Sequence, residues 1–311
     1  MGFKRDICIY SFYWFVLGGC MRELVVKDNA LINASYNLDL VEQRMILLAI
    51  IEARESGKGI NANEPLTIKA TSYEAHFGVQ KNASYQALQA ACESLFNRQF
   101  SYVEERPNGV AVIRSRWVSQ IAYIESAASV ELILAAAVVP LVTRLEKHFT
   151  SYELEQVKDL STAYSVRLYE ILIAWRSTGK TPVISLTEFR QKLGVLPEEY
   201  PRMFDFKKYV LDSALKQINA HTDIQVTYEQ HKTGRRITGL SFTLKTKKVV
   251  SKKLSKNLWE AVPVGTRYQN SDGDVWVKEE SGFLYCKEKK QSMPPHLAKI
   301  TSQNGTLKII N

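Results

Sequence analysis

The sequence predicts an α+β fold, and three observations carry that prediction. Between residues 65 and 126 a short strand is followed by two helices and a β-hairpin. Between residues 181 and 245 the same order returns, with hardly a residue in common. A helix rich in aromatic and aliphatic side chains, within residues 162–180, lies between the two stretches. Strand, helix, helix, hairpin is the order of a winged helix-turn-helix, with the hairpin as the wing. The chain therefore reads as two tandem winged helix-turn-helix domains joined by a packed helix, plus a small C-terminal β-like appendage.

Composition bounds what such a chain does. Its 311 residues suit about two domains, and 45% hydrophobic with 23% charged residues describes an ordinary globular protein. The net charge of +9 favours a polyanionic partner, nucleic acid or an acidic membrane surface. No stretch beyond residue 20 reaches the ~18 uninterrupted apolar residues of a membrane span. The helix-turn-helix order, the basic wing and the positive charge read the partner as nucleic acid, and no membrane is expected. The cysteines, Cys8, Cys20, Cys92 and Cys286, form no CxxC pair and suit a reducing cytoplasm. The first twenty residues imitate a secretory leader: Lys4 and Arg5, an apolar stretch, then Leu17-Gly18-Gly19-Cys20. The body of the chain argues against secretion, and Met21 is taken as the functional start.

The elements follow in order. "LDLVEQRMILLAIIEARESGKG" is a helix with Leu40, Met45, Leu47, Leu48 and Ile51 on a broad face, ended by Gly57 and Gly59. "PLTIKA" alternates like a strand. Thr71 or Ser72 is expected to cap a short helix that stops at Gly78, and Asn82 to cap the next. Tyr85, Leu88, Cys92, Leu95 and Phe96 form the apolar face of that second helix. Residues 100–126 then give two strand-like runs around Pro107-Asn108-Gly109. In "TAYSVRLYEILIAWRSTGK", Tyr164, Leu168, Ile171, Leu172 and Trp175 share a face, while Arg167 and Glu170 interrupt the apolar run. Such a helix closes one domain and opens the next. Thr187 is expected to cap "EFRQKLGV", and Asp205 to cap "FKKYVLDSALKQINAHT". Two strands around Thr233-Gly234 complete the second set. A lysine-rich linker (246–260) and a β-like extension (261–311) follow, after a first domain over 21–150 and a second over 151–245.

The helix over 205–220 is the most informative. Phe206, Val210, Ala214 and Ile218, widened by Leu211 and Leu215, must face the core. Lys208, Tyr209, Asp212, Lys216 and Asn219 lie opposite, and Lys207 sits in the first turn. Recognition helices point such N-terminal residues at base edges, where Lys can donate to guanine and Asn can pair with adenine. Arg202, just before the helix, suits a phosphate. Lys232, Arg235 and Arg236 put three cations on the wing tip, for phosphate or the minor groove. In the first domain the comparable helix shows Gln86, Gln89, Glu93 and Arg98, nearly neutral, with Lys81, Arg114 and Arg116 nearby for phosphates. The first domain reads as a backbone binder or protein-contact module, the second as the sequence reader.

Catalytic signals are missing from the sequence. There is no GxxxxGK[ST] loop, and His76, His148, His221, His231 and His296 are scattered singly. A rolling-circle nickase needs clustered histidines to hold a metal beside its tyrosine. No enzymatic activity, metal or cofactor is expected.

Three ordered blocks carry a resemblance. "LVVKDNALINASYNLDLVEQRMILLAI", "STAYSVRLYEILIAW", and "FDFKKYVLDSALKQIN" with "KTGRRITGLSFTL" resemble the iteron-binding plasmid replication initiator proteins, the Rep initiators of theta-replicating plasmids. The resemblance covers residues 24–244 and implies two winged-helix domains. It implies binding to repeated DNA sites (iterons), origin opening, and repression of the protein's own gene by a dimer in equilibrium with the monomer. Host DnaA and the helicase DnaB are implied as partners, and the second domain as the main source of base contacts. Where that family often carries arginines, this chain has Lys207 and Lys208. The alternative is a winged-helix transcriptional repressor without a replication role, bound to one palindrome rather than to direct repeats.

Overall fold

In the computed structural model, which describes residues 23–59, 63–143, 149–247, 264–270, 273–281, 283–293 and 308–310, helix Leu40–Ser56 is the axis of the first winged-helix domain. Asp39 and Glu42 start it with a reciprocal capping box: each carboxylate accepts the other's backbone N–H, at 2.8 and 2.7 Å. Gly57, at φ +67°, ends it. Met45 through Ile51 are buried without a gap, so the helix is surrounded rather than one-sided.

The expected strand, helix and helix follow as Leu66–Lys69, Ala70–Phe77 and Lys81–Asn97, with left-handed Gly78 between the helices. Their expected caps are not used. The helices begin earlier than Thr71 and Asn82 would set them, with Lys69 and Gln80 at the cap positions and no side-chain cap bond. At the first, the Ala128 carbonyl takes the Ala70 N–H instead.

The wing pairs Gln99–Arg106 with Gly109–Arg116. The second strand-like run does not stay in it. Trp117 is fully buried, with ring centroids 4.8 Å from Phe100 and 4.9 Å from Tyr36, and the chain turns inward there. Beyond it, Val118–Ile124 pairs with Ser129–Leu134, which pairs in turn with Leu66–Lys69. Ser35–Tyr36 adds a short third strand to the wing. Leu24–Asp28 and Phe149–Glu153 form a further two-stranded ladder.

Helix Ala163–Ile173 joins the domains, capped by the Thr162 hydroxyl. All residues from Ser165 to Ile173 are buried, including Arg167 and Glu170, which interrupt the apolar run. The Glu170 carboxylate accepts from Lys27 at 2.5 Å, Tyr152 at 2.5 Å, Tyr36 at 3.1 Å and Arg167 at 3.2 Å. Arg167 also donates to the carbonyls of Ile32 and Ala34 in the first domain and of Lys192 in the second. The polar breaks are thus a lock between the domains. Burial alone would raise the Glu170 carboxyl, but Lys27 and Arg167 outweigh it and hold the group below the usual carboxylate range.

The second domain runs through Ile184–Ser185, helix Leu186–Leu193, a continuous helix over 203–221, and the wing strands Ile224–Thr233 and Arg236–Thr246. One apolar cluster runs through both domains. Residues from 264 onward belong to a separate unit. Its antiparallel strands Arg267–Gln269, Val275–Lys278, Leu284–Cys286 and Gln291–Met293 pair in sequence, and Lys308–Ile310 pairs back with the first. Tyr268, Trp276, Leu284 and Cys286 form its core. The leader-like segment 1–20 and residues 248–260 of the lysine-rich linker lie outside the described residues.

Candidate nucleic-acid interface

The second helix-turn-helix is built on three local features. Ser185, not Thr187, caps the first helix: its hydroxyl accepts from the Glu188 N–H at 3.2 Å. Gly194 then turns the chain at φ +77°, so close to the first domain that a Cβ would lie 2.2 Å from the Tyr36 carbonyl oxygen. Only glycine satisfies both demands. The second helix starts at Met203, with Arg202 at its cap, three residues before the Asp205 cap expected from the sequence. Asp205 instead lies in the first turn, where its carboxylate favours the helix dipole and pairs with Arg202 at 2.6 Å. Phe206–Leu211 is a π-helical segment between α-helical ends.

The core face is the expected one. Phe206, Val210, Leu211, Ala214, Leu215 and Ile218 are buried. Lys208, Tyr209, Asp212 and Lys216 are exposed on the other side, with the Lys208 ammonium 4.8 Å above the Tyr209 ring. Lys207 is half-buried and sits 6.0 Å from the Tyr228 ring of the wing. The Tyr228 hydroxyl donates to Asp212 at 3.0 Å. Tyr228 therefore couples helix to wing. Its burial, with the hydrogen bond and charge of Asp212, raises its phenol above the ordinary range, against the pull of Lys207.

At the wing tip, Lys232, Thr233, Gly234, Arg235 and Arg236 are all exposed. Gly234 adopts φ +62° with open space where a Cβ would sit, so the turn needs its conformation and not its smallness. Among the described residues, Lys232, Arg235 and Arg236 form no ion pair. A bulge at His231–Lys232 shifts the strand register just before the tip. At the other end, the Lys247 ammonium caps the helix carbonyls of Asn219 and Thr222 at 2.6 and 2.8 Å.

Two of the expected DNA contacts are used internally. Asn219 is half-buried and clamps the wing strand, donating to the Val226 carbonyl at 2.9 Å and accepting from its N–H at 2.7 Å. The amide oxygen and nitrogen, which would pair together with adenine, are thus both engaged by the wing strand. Arg98 is the counter-ion of Glu42, with Nε 2.8 and 2.9 Å from the two carboxylate oxygens. Glu42 is fully buried, so the Arg98 Nε is held to the core while the rest of the side chain stays partly exposed. Arg116 is exposed but donates to the Phe96 carbonyl and lies over that ring. Lys81 and Arg114 are exposed.

One exposed aromatic escaped the sequence reading. Phe204 is 72% exposed in the first turn of the helix. A helix capped by Asp205 leaves Phe204 in the preceding turn. Pro201 and the acidic Asp205 were the available signals, since an acidic residue fits the first turn as well as the cap. Among the described residues no group of three or more His, Cys, Asp and Glu could hold a metal ion, and no helix is long and apolar enough to cross a membrane.

Comparisons with known proteins agree with this architecture. Residues 24–173 match the family described as "Initiator Replication protein, WH1", and residues 185–244 match "Initiator Rep protein, WH2". A replication initiation protein of Escherichia coli is 26% identical over 228 residues, covering 71% of this chain and 70% of that protein. The crystallised WH1 domain of the replication protein MSBI1.176, isolated from a multiple sclerosis patient, is 66% identical, with a TM-score of 0.34, covering 41% of this chain and 97% of that one. The Pi initiator protein, solved in complex with iteron DNA, has the same fold, with a TM-score of 0.58 at 19% identity, covering 73% of this chain and 98% of that one. With both winged-helix domains matched in order, the chain belongs to the Rep family of replication initiator proteins.

Proposed function

We propose that this chain starts plasmid replication by binding repeated duplex sites at the origin, reading them with helix 203–221 and gripping their backbones with the 232–236 wing tip. The observation that carries this is the ordered family match over both winged-helix domains. The geometry of the second domain supports it: Lys208 and Lys216 stand on the open helix face, beside a wing tip of three cations without ion-pair partners among the described residues. Pi, of the same fold, was solved on iteron DNA. Arg202, Lys207, Lys208, Tyr209 and Lys216 serve the helix contacts, and Lys232, Arg235 and Arg236 the phosphates or minor groove. Lys81 and Arg114 add backbone contacts from the first domain. Asp212 holds Tyr228 and with it the angle between helix and wing.

The finer parts of the proposal follow the resemblance. The protein acts in the cytoplasm and has no enzymatic activity. It exchanges between monomer and homodimer, and the dimer represses its own gene. Dimer contacts lie in the first domain, whose wing exposes Val103, Val110 and Val112. Host DnaA and the helicase DnaB are its protein partners.

Footprinting on the DNA flanking the gene tests the function. Protection of tandem repeats about two helical turns apart, beside an A·T-rich stretch, is the expected result. Protection of a lone palindrome, with plasmid maintenance unaffected by its loss, would assign a repressor instead.

A further inference from the structure

The residue that the interface leaves unexplained is Phe204. The residue is 72% exposed, second only to Val112 among the large apolar residues that are described. It packs on no other ring among the described residues. The cause is its position: Phe204, Lys208, Asp212 and Lys216 follow one another at intervals of four, and all four are exposed. They lie on the outward side of the helix. Phe206, two residues on, points the other way and is fully buried.

A bare aromatic ring in water is unfavourable, and the free protein gains nothing from it. Its neighbours define what covers it. Arg202, paired with Asp205, precedes it, and Lys207 and Lys208 follow. A ring set among cations at the leading end of a recognition helix faces a polyanion whose groove floor it can reach. The apolar group on that floor is the 5-methyl of thymine, which apolar side chains contact in the major groove.

We propose that Phe204 is a specificity-determining residue that reads a thymine 5-methyl group in the major groove of each bound repeat. This rests on the proposal that helix 203–221 binds DNA. It adds an apolar readout to the hydrogen-bonding one of the lysines. Lysines favour guanine, so a site read by both contains a thymine close to the guanine contacted from Lys207 or Lys208.

The test uses the full chain and duplexes that it enriches from a randomised library. Each thymine of the enriched repeat is replaced in turn by deoxyuridine, which removes only the methyl. The wild-type chain should lose about fourfold in affinity at one thymine of each repeat, the worth of one buried methyl. Phe204→Ala should be indifferent to that one replacement while keeping the wild-type response at every other position. The exposed ring makes no core contact, so the variant should melt with the wild type, which separates lost readout from lost fold. An unchanged deoxyuridine profile in Phe204→Ala would overturn the proposal and leave DNA binding intact. An altered self-association with an unchanged profile would equally overturn it and give the ring to a protein contact. A library that yields no enriched sequence would overturn the DNA-reading proposal and this one with it.

Discussion

The Lys27 ammonium lies 2.5 Å from the Glu170 carboxylate, in a site closed to water. The two residues come from the first strand of the first domain and from the helix that joins the domains. Tyr36, Tyr152 and Arg167 complete the hydrogen bonding of the carboxylate. Glu170 balances two buried cations, so its loss exposes neither to water and pairs neither. Glu170→Ala should therefore lower the unfolding free energy by about 3–5 kcal/mol, read by urea denaturation. A loss under 1 kcal/mol would mean that water reaches the cluster.

The same carboxylate predicts an acid transition. Its folded-state pKa is depressed, so its stabilisation is fully present above the unfolded value of ~4.3 and disappears as pH falls through the folded value. Stability measured from pH 6 down to pH 3 should fall more steeply in the wild type than in Glu170→Gln. Parallel curves would show that the group titrates normally.

Gly194 and Gly78 occupy equivalent turns with different surroundings. Both have positive φ, +77° and +62°, but only Gly194 meets a neighbour, the Tyr36 carbonyl of the first domain. Gly78→Ala should cost about 1 kcal/mol of backbone strain. Gly194→Ala should cost clearly more, because backbone must move as well. Equal shifts in melting temperature would argue against tight packing of the turn on Tyr36.

Asn219→Ala separates fold from recognition. It breaks the two hydrogen bonds to Val226 that hold the wing strand to the helix. Stability should drop by about 1–3 kcal/mol, while base preference in competition binding stays as in the wild type. A relaxed preference at full stability would return Asn219 to the DNA face.

The sequence made the domain order legible because it depends on periodicity and turn residues: the buried line Phe206, Val210, Ala214, Ile218 and the turns at Gly57, Gly78, Gly194 and Gly234 are all local. What it concealed depends on partners far away in the chain. Arg167 looked like a break in an apolar face until Ile32, Ala34 and Lys192 supplied its acceptors. Asn219 and Arg98 looked free until Val226 and Glu42 were brought beside them. The expected caps at Thr71, Asn82, Thr187 and Asp205 lie two or three residues past the observed ones. Several polar residues compete near each helix start, and tertiary contacts choose among them.

The central claim is that helix 203–221 reads bases while the wing holds the backbone. It is tested by competition binding of an enriched repeat against scrambled duplex at two salt concentrations. Lys208→Ala should cost about 1–3 kcal/mol on the cognate repeat and relax the base choice. Arg235→Ala should weaken cognate and scrambled DNA alike and lower the salt slope by about one unit. If Lys208→Ala instead loses both duplexes equally, with base preference unchanged, helix 203–221 is not the reader.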